Sequence, residues 1–237
     1  MIPKVAPLIL LVPLLTFPSG TDAVESARVV IPQHVTTGEN VTMVCEFDLR
    51  EDFDPKNLGV YWQCITDNKV ESVCSYYNGT DSLEKQAPRF RNRTTLAVNP
   101  WRAILTLQNA TLLDSGIFQC TIKYKWPASD SDVLSVSARY QPLQLTVRYE
   151  DGTAVLQCVT EGGFPLGKVI WYYQDGRRLN QTWSVMNYTR SDRTFLIKST
   201  LTLKSEEETS VCCSVIHRAL KENITSCLKI PGKRYKC

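Results

Sequence analysis

Histidine is close to missing from these 237 residues: there are two, His34 and His217. General acid–base and metal chemistry lean heavily on that side chain. No Gly-x-Ser-x-Gly, no His-Glu-x-x-His and no phosphate-binding glycine loop occurs either. With no nucleophile-and-base constellation to build from, an enzyme is not expected, nor is any cofactor or metal. Charge of one sign is also scarce. The 27 Lys and Arg stand against 24 Asp and Glu, and +3 is too small a net charge to argue for nucleic acid. Helical periodicity is absent from every window, which excludes bundles and coiled coils. Past the N-terminal stretch, no apolar run reaches the roughly 18 residues that a membrane helix needs.

The N-terminal stretch itself reads as a secretory leader over residues 1–23. Lys4 precedes an apolar run over 5–17, and small and polar residues follow from Ser19 to Ala23. A membrane anchor is the alternative, but the run has 13 residues with prolines inside it. The mature chain, as written, is expected to be soluble and secreted, entering an oxidising extracellular compartment where its nine cysteines pair. Seven Asn-x-Ser/Thr acceptors agree with export: Asn40, Asn78, Asn92, Asn109, Asn180, Asn187 and Asn223. Their side chains should face solvent.

Cysteine spacing supplies the organisation. Cys45 is followed by Trp62 and then by "DSGIFQC", which ends at Cys120; Cys158 is followed by Trp171 and then Cys213. This Cys…Trp…Cys pattern, used twice, is the signature of immunoglobulin-type sandwiches. Local patterns agree: in "VTMVC", Val41, Met43 and Cys45 alternate with Thr42 and Val44, and "AVLQC", "ILTLQN" and "STLTLKS" keep the same period of two. Another all-β sandwich is the alternative. The first spacing leaves room for the two extra strands of a variable-type domain, expected over 24–139, and the shorter second spacing fits a constant-type domain over 140–231. For the basic tail, 232–237, a plain solvated end and a site for a heparin-like polyanion are the alternatives. "DSGIFQC" resembles the variable-type Asp-x-Gly-x-Tyr-x-Cys corner with Phe118 for tyrosine, so packing without the corner hydrogen bond is expected. Asp114 is expected to pair with an arginine of "RFRNR", and the resemblance to the variable-type pattern favours Arg93.

"SVCCSVIH" sets two cysteines side by side, and a strand points neighbours to opposite faces. "CSVIH" resembles the constant-domain pattern Cys-x-Val-x-His, which assigns Cys213 to Cys158, turns Cys212 outward and makes His217 structural. Cys64 with Cys74, and Cys212 with Cys227, each flank a hairpin turn, and a bridge across each is expected. Cys237 is left for an intermolecular bridge, giving a disulfide-linked homodimer, or for a free thiol. The Phe164–Pro165 bond is expected to be cis, as at aromatic–proline positions of constant-type domains.

Function is then expected on exposed strand surface. With Trp62 and Cys120 inward, Tyr61, Gln63, Gln119, Thr121 and Lys123 point out from the two central strands, and tyrosine is enriched in interfaces. An ordinary wet sheet face is the alternative. "LGVYWQ", "SLEKQAPRFRNRT", "LLDSGIFQC", "GGFP…VIWYYQDG" and "VCCSVIHRALKENIT" together resemble the costimulatory ligands that antigen-presenting cells show to T cells, nearest to the ICOS-ligand group. The resemblance spans about 29–230. It implies a variable-type domain that binds a T-cell surface receptor of the ICOS or CTLA type through its sheet face, with Tyr77 added from the neighbouring strand. It also implies a membrane span that these residues do not include, so either the sequence is incomplete or the protein is a naturally soluble form, acting as a decoy when monomeric or as a cross-linking dimer when bridged through Cys237. A homophilic or cell-adhesion protein is the alternative.

Overall fold

The computed structural model describes residues 26–49, 54–67, 69–204 and 207–232; the expected leader and Cys237 lie outside the described residues. The first half runs through β1 (Ala27–Val30), β2 (Val35–Thr36), β3 (Val41–Phe47), β4 (Gly59–Thr66), β5 (Lys69–Tyr77), β6 (Thr80–Ser82), β7 (Thr94–Asn99), β8 (Arg102–Leu107), β9 (Gly116–Tyr124), β10 (Trp126–Leu134) and β11 (Val136–Ser137). The second half follows with β12 (Gln144–Glu150), β13 (Thr153–Gly163), β14 (Lys168–Tyr173), β15 (Trp183–Thr189), β16 (Phe195–Leu203), β17 (Thr209–His217) and β18 (Glu222–Ile230).

Period-two alternation closes each half into a sandwich. In β3 the residues Val41, Met43, Cys45 and Phe47 are buried while Thr42 and Glu46 are exposed. Sheet β1-β3-β8-β7 faces sheet β10-β9-β4-β5-β6, and sheet β12-β13-β16-β15 faces sheet β14-β17-β18. Four strands against five is the variable-type layout, with β5 and β6 as the added pair; four against three is the constant type. Cys45–Cys120 and Cys158–Cys213 tie the sheets together, with Cα separations of 6.3 and 6.5 Å. Trp62 and Trp171 are buried in the two cores. The Trp171 indole N–H donates to Ser199 Oγ at 2.9 Å, and that hydroxyl donates to Ser184 O at 2.8 Å.

Register decides which of the other cysteines join. Cys212 lies directly opposite Cys227 in the β17–β18 pair, and the two are bridged with Cα atoms 4.0 Å apart. Cys64 and Cys74 are not bridged, contrary to expectation: both are free, buried thiols. A bulge between Trp62 and Gln63 sets Cys74 opposite Trp62 and Cys64 opposite Glu71. Even without the extra residue, such diagonal neighbours sit about 7–8 Å apart, beyond the usual reach of a disulfide.

The corner after β8 is held by charge. Asp114 is buried and accepts from Arg93 Nη2 at 2.6 Å, from the Thr111 backbone N–H at 2.8 Å and from Thr111 Oγ1 at 3.0 Å. Phe118 packs edge-on against Phe90, with ring centroids 6.3 Å apart. The Phe164–Pro165 bond is cis. Beside it, His217 Nδ1 accepts the Leu220 N–H at 3.2 Å, which leaves the ring proton on Nε2. Nε2 then donates to Ala138 O and Phe164 O, both at 3.0 Å. His217 therefore pins the segment between the sandwiches to the second one.

Candidate binding face on the first sandwich

The outer face of the five-stranded sheet is assembled by cross-strand register. Tyr61 lies opposite Thr121, and Gln63 opposite Gln119, so four of the expected residues form a two-by-two block on β4 and β9. Ser129 and Ser131 of β10 extend the same rows outward. Ser75 and Ser72 of β5 extend them the other way. Tyr61, Gln63, Gln119 and Thr121 are half-buried, and Lys123 is exposed opposite Gly59. Tyr77 is exposed and pairs with Thr80 at the far edge, two residues along from Ser75, the residue opposite Tyr61. It flanks the block instead of joining it.

Glycine shapes the centre. A Cβ placed on Gly59 would lie 2.9 Å from Cε2 of Tyr61 and 3.1 Å from its hydroxyl. The Tyr61 ring therefore lies back over Gly59, toward the row that holds Lys123. Sequence reading passed over Gly59 because a lone glycine at a strand start carries no signal of what covers it.

Below the polar block runs an apolar row that sequence reading missed. Val70, Ile65, Ile117 and Val133 are register partners across four strands, β5, β4, β9 and β10. Val70, Ile117 and Val133 are exposed. Ile117 shares the outward parity of Gln119, so its place was readable. Val133 depends on the pairing of β10, which spacing does not reveal. Ile65, Ile117 and Val133 of this row line an open cleft of about 810 Å3 that also meets Arg89 and Leu113 and, from the second sandwich, Arg193. At the opposite end of the face, the β9–β10 turn carries Trp126, 71% exposed. Tryptophan presented this way is a common anchor in interfaces.

All seven acceptor asparagines are exposed. Asn78, Asn92 and Asn109 occupy turns with positive φ, a conformation asparagine tolerates better than most residues. None of the seven lies on β4, β9 or β10. Among the described residues no cluster of His, Cys, Asp or Glu could hold a metal ion, and no helix is long and apolar enough to cross a membrane.

Family models match both halves: the immunoglobulin V-set domain over residues 31–136, and the Ig-C domain of the butyrophilin subfamily 3 member A2-like type over 140–224. The chain belongs to the immunoglobulin superfamily. This superfamily member is 24% identical over 203 residues to the CD276 antigen homolog of Xenopus laevis, covering 82% of this chain and 65% of that protein. It is 25% identical over 201 residues to programmed cell death 1 ligand 1 of Mus musculus, covering 83% and 68%. It is 26% identical over 191 residues to butyrophilin-like protein 2 of Mus musculus, covering 78% and 40%. The chain thus spans about two thirds of the first two relatives and well under half of the third.

Two solved structures share the fold. A crystal structure of bovine butyrophilin superposes with a TM-score of 0.73 at 16% identity, covering 87% of this chain and 99% of that one. A chain in the crystal structure of ICOS in complex with ICOS-L and an anti ICOS-L VNAR domain gives 0.71 at 21%, covering 82% and 97%.

Proposed function

We propose that this immunoglobulin-superfamily chain is an extracellular ligand for a T-cell costimulatory or inhibitory receptor of the ICOS or CTLA type. It engages that receptor through the outer face of β10, β9, β4 and β5. One observation carries the reading: register gathers Tyr61, Gln63, Gln119 and Thr121 into one block above an apolar row. A half-buried aromatic among uncommitted amides and hydroxyls, next to exposed aliphatics, is the make-up of an interface centre. Lys123 and Tyr77 lie at its margin. The relatives support the class, since one is named a ligand of programmed cell death 1. The ICOS-ligand group is the finer reading; it rests on "VYWQ" and on the double cysteine of "VCCSVIH", and one structural neighbour comes from an ICOS complex.

The test is surface plasmon resonance of the mature protein against ectodomains of ICOS, a CTLA-type receptor and programmed cell death 1. Tyr61→Ala is expected to cost about 2 kcal/mol, roughly thirtyfold in Kd. Gly59→Val, which lifts the Tyr61 ring, is expected to weaken binding in the same direction. Absence of binding to all three receptors overturns the proposal. Self-association through this face, retained in Cys237→Ser and lost in Tyr61→Ala, would turn it toward homophilic adhesion.

A further inference from the structure

Each of the four main sheets ends in two edge strands: β1 and β7, β10 and β6, β12 and β15, β14 and β18. An edge offers unpaired N–H and C=O groups to any second strand, and a charge on it opposes such pairing because the charge would be desolvated. Six of these eight edges carry a charge, from Arg28, Asp130, Asp81, Arg148, Lys168 and Glu222 respectively in β1, β10, β6, β12, β14 and β18. β7 ("TTLAVN") and β15 ("WSVMNYT") carry none. Each of these two holds the hydroxyl residue of an acceptor sequence. Thr94, which completes Asn92-Arg-Thr, opens β7, and Asn187-Tyr-Thr189 lies inside β15.

We propose that N-linked glycans at Asn92 and Asn187 replace charge as the guards of these two edges, and that β15 without its glycan pairs with β15 of a second copy of the chain. β15 is the more open of the two, exposed at every residue after Trp183. Val185 is 44% exposed, Met186 46% and Tyr188 52%. Val185 and Asn187 sit opposite Ser199 and Ile197, which are buried, so they point toward the facing sheet. That sheet has only three strands and leaves them uncovered, so β15 overhangs the rim. Antiparallel pairing of this strand with itself sets no like charges opposite one another and joins residues of high strand preference. In such a pair the side chain opposite Asn187 would stand on the same face with its Cβ about 4.5–5.5 Å away, which leaves no room beside it for an oligosaccharide. In the modification, Asn187 Nδ2 bonds to C1 of the first sugar of a lipid-pyrophosphate-linked oligosaccharide. The C1–O bond breaks, the lipid pyrophosphate leaves with the electron pair, and the amide loses one proton.

The experiment is sedimentation velocity over a concentration series, on protein from a glycosylating host and in a Cys237→Ser background that excludes bridging at that residue. Thr189→Ala removes the acceptor while keeping Asn187; Asn187→Gln removes it by a second route. Both are expected to double in mass at concentrations where the parent is monomeric. Adding Met186→Lys to Thr189→Ala should restore the monomer, and Asn223→Gln, on the charged β18 edge, should leave it unchanged. Monomeric Thr189→Ala and Asn187→Gln overturn the proposal. So does a dimer that persists with Met186→Lys, or peptide mapping that finds Asn187 unmodified in the monomeric parent.

Discussion

Asp114→Ala removes the acceptor around which the lower corner of the first sandwich is organised. Its carboxylate is buried and receives Arg93 Nη2 at 2.6 Å, Arg93 Nη1 at 3.3 Å, Arg89 Nη1 at 3.5 Å and two donors of Thr111. Breaking a buried ion pair from one side costs about 3–5 kcal/mol, because the partner charge stays behind without compensation. Both arginine side chains here keep 24% of their surface exposed, so water takes part of the load and the lower end, about 3 kcal/mol, is expected. The two arginines should differ. Arg93 makes the short contact and also donates to Gln108 O, Arg89 O and Asn109 O. Arg89 spends its Nε on Glu71 and reaches Asp114 only at 3.5 Å. Arg93→Ala is therefore expected to approach the aspartate's cost, and Arg89→Ala about half of it, scaled to the same buried-pair range. Urea titration read by hydrogen exchange across β3 and β9 isolates the first sandwich. A loss below about 1 kcal/mol for Asp114→Ala, the level of an exposed pair, refutes the reasoning. So does Arg89→Ala costing more than Arg93→Ala.

Two further outcomes follow from burial. Cys64 and Cys74 should resist alkylation in the folded protein and react on unfolding, because burial pushes both thiols up and away from the reactive thiolate. Mass mapping that finds them bridged, or rapidly labelled in the native state, contradicts the register described above. Tyr140→Phe should cost about 1–3 kcal/mol, since the hydroxyl accepts the Gly167 N–H at 2.8 Å and donates to Pro165 O at 3.2 Å. Gly163→Ala should do similar damage, with about 1–3 kcal/mol of overpacking, because its new Cβ would enter the Tyr140 ring. Thermal unfolding of the second sandwich measures both, and an unchanged midpoint in either variant refutes the role given to Tyr140.

Much of this architecture is legible in the sequence because parity and spacing are local. Cys45, Trp62 and Cys120 announce one core, and the parity of Cys120 turns Gln119, Thr121 and Lys123 outward without any knowledge of neighbours. The Asp114–Arg93 pair was legible on other grounds, the resemblance of "DSGIFQC" to the variable-type corner. What failed needed cross-strand register. Cys64 and Cys74 flank a turn as Cys212 and Cys227 do, yet register sets Cys74 opposite Trp62 and not Cys64, and one extra residue at the bulge widens the offset. Nothing in the residue types marks that bulge. The row of Val70, Ile65, Ile117 and Val133 was hidden likewise, because each residue is a single aliphatic in its own strand until pairing lines it up.

The two sandwiches present comparable sheets to solvent, and their chemistry separates the roles. On the second sandwich, Tyr172, Cys212 and Cys227 form one row across β14, β17 and β18, closed by the disulfide. The next row is tied by the Thr225 hydroxyl, which donates to Ser214 Oγ at 2.9 Å, and the row after it ends on the acceptor Asn223. A partner approaching there would have to separate internal bonds and pass a glycan acceptor before gaining contact, and a buried polar group left unpaired costs about 1–3 kcal/mol. On the first sandwich, the rows through Tyr61 and Gln63 carry no bridge and no acceptor asparagine. Apart from the Ser75 hydroxyl, which donates to Ser82 O at 2.8 Å, the side chains of those rows are not tied to one another, so Tyr61, Gln63, Gln119 and Thr121 meet a partner without breaking bonds within the fold. Net binding energy is therefore easier to reach on the first sandwich, and the second is suited to hold it at a distance.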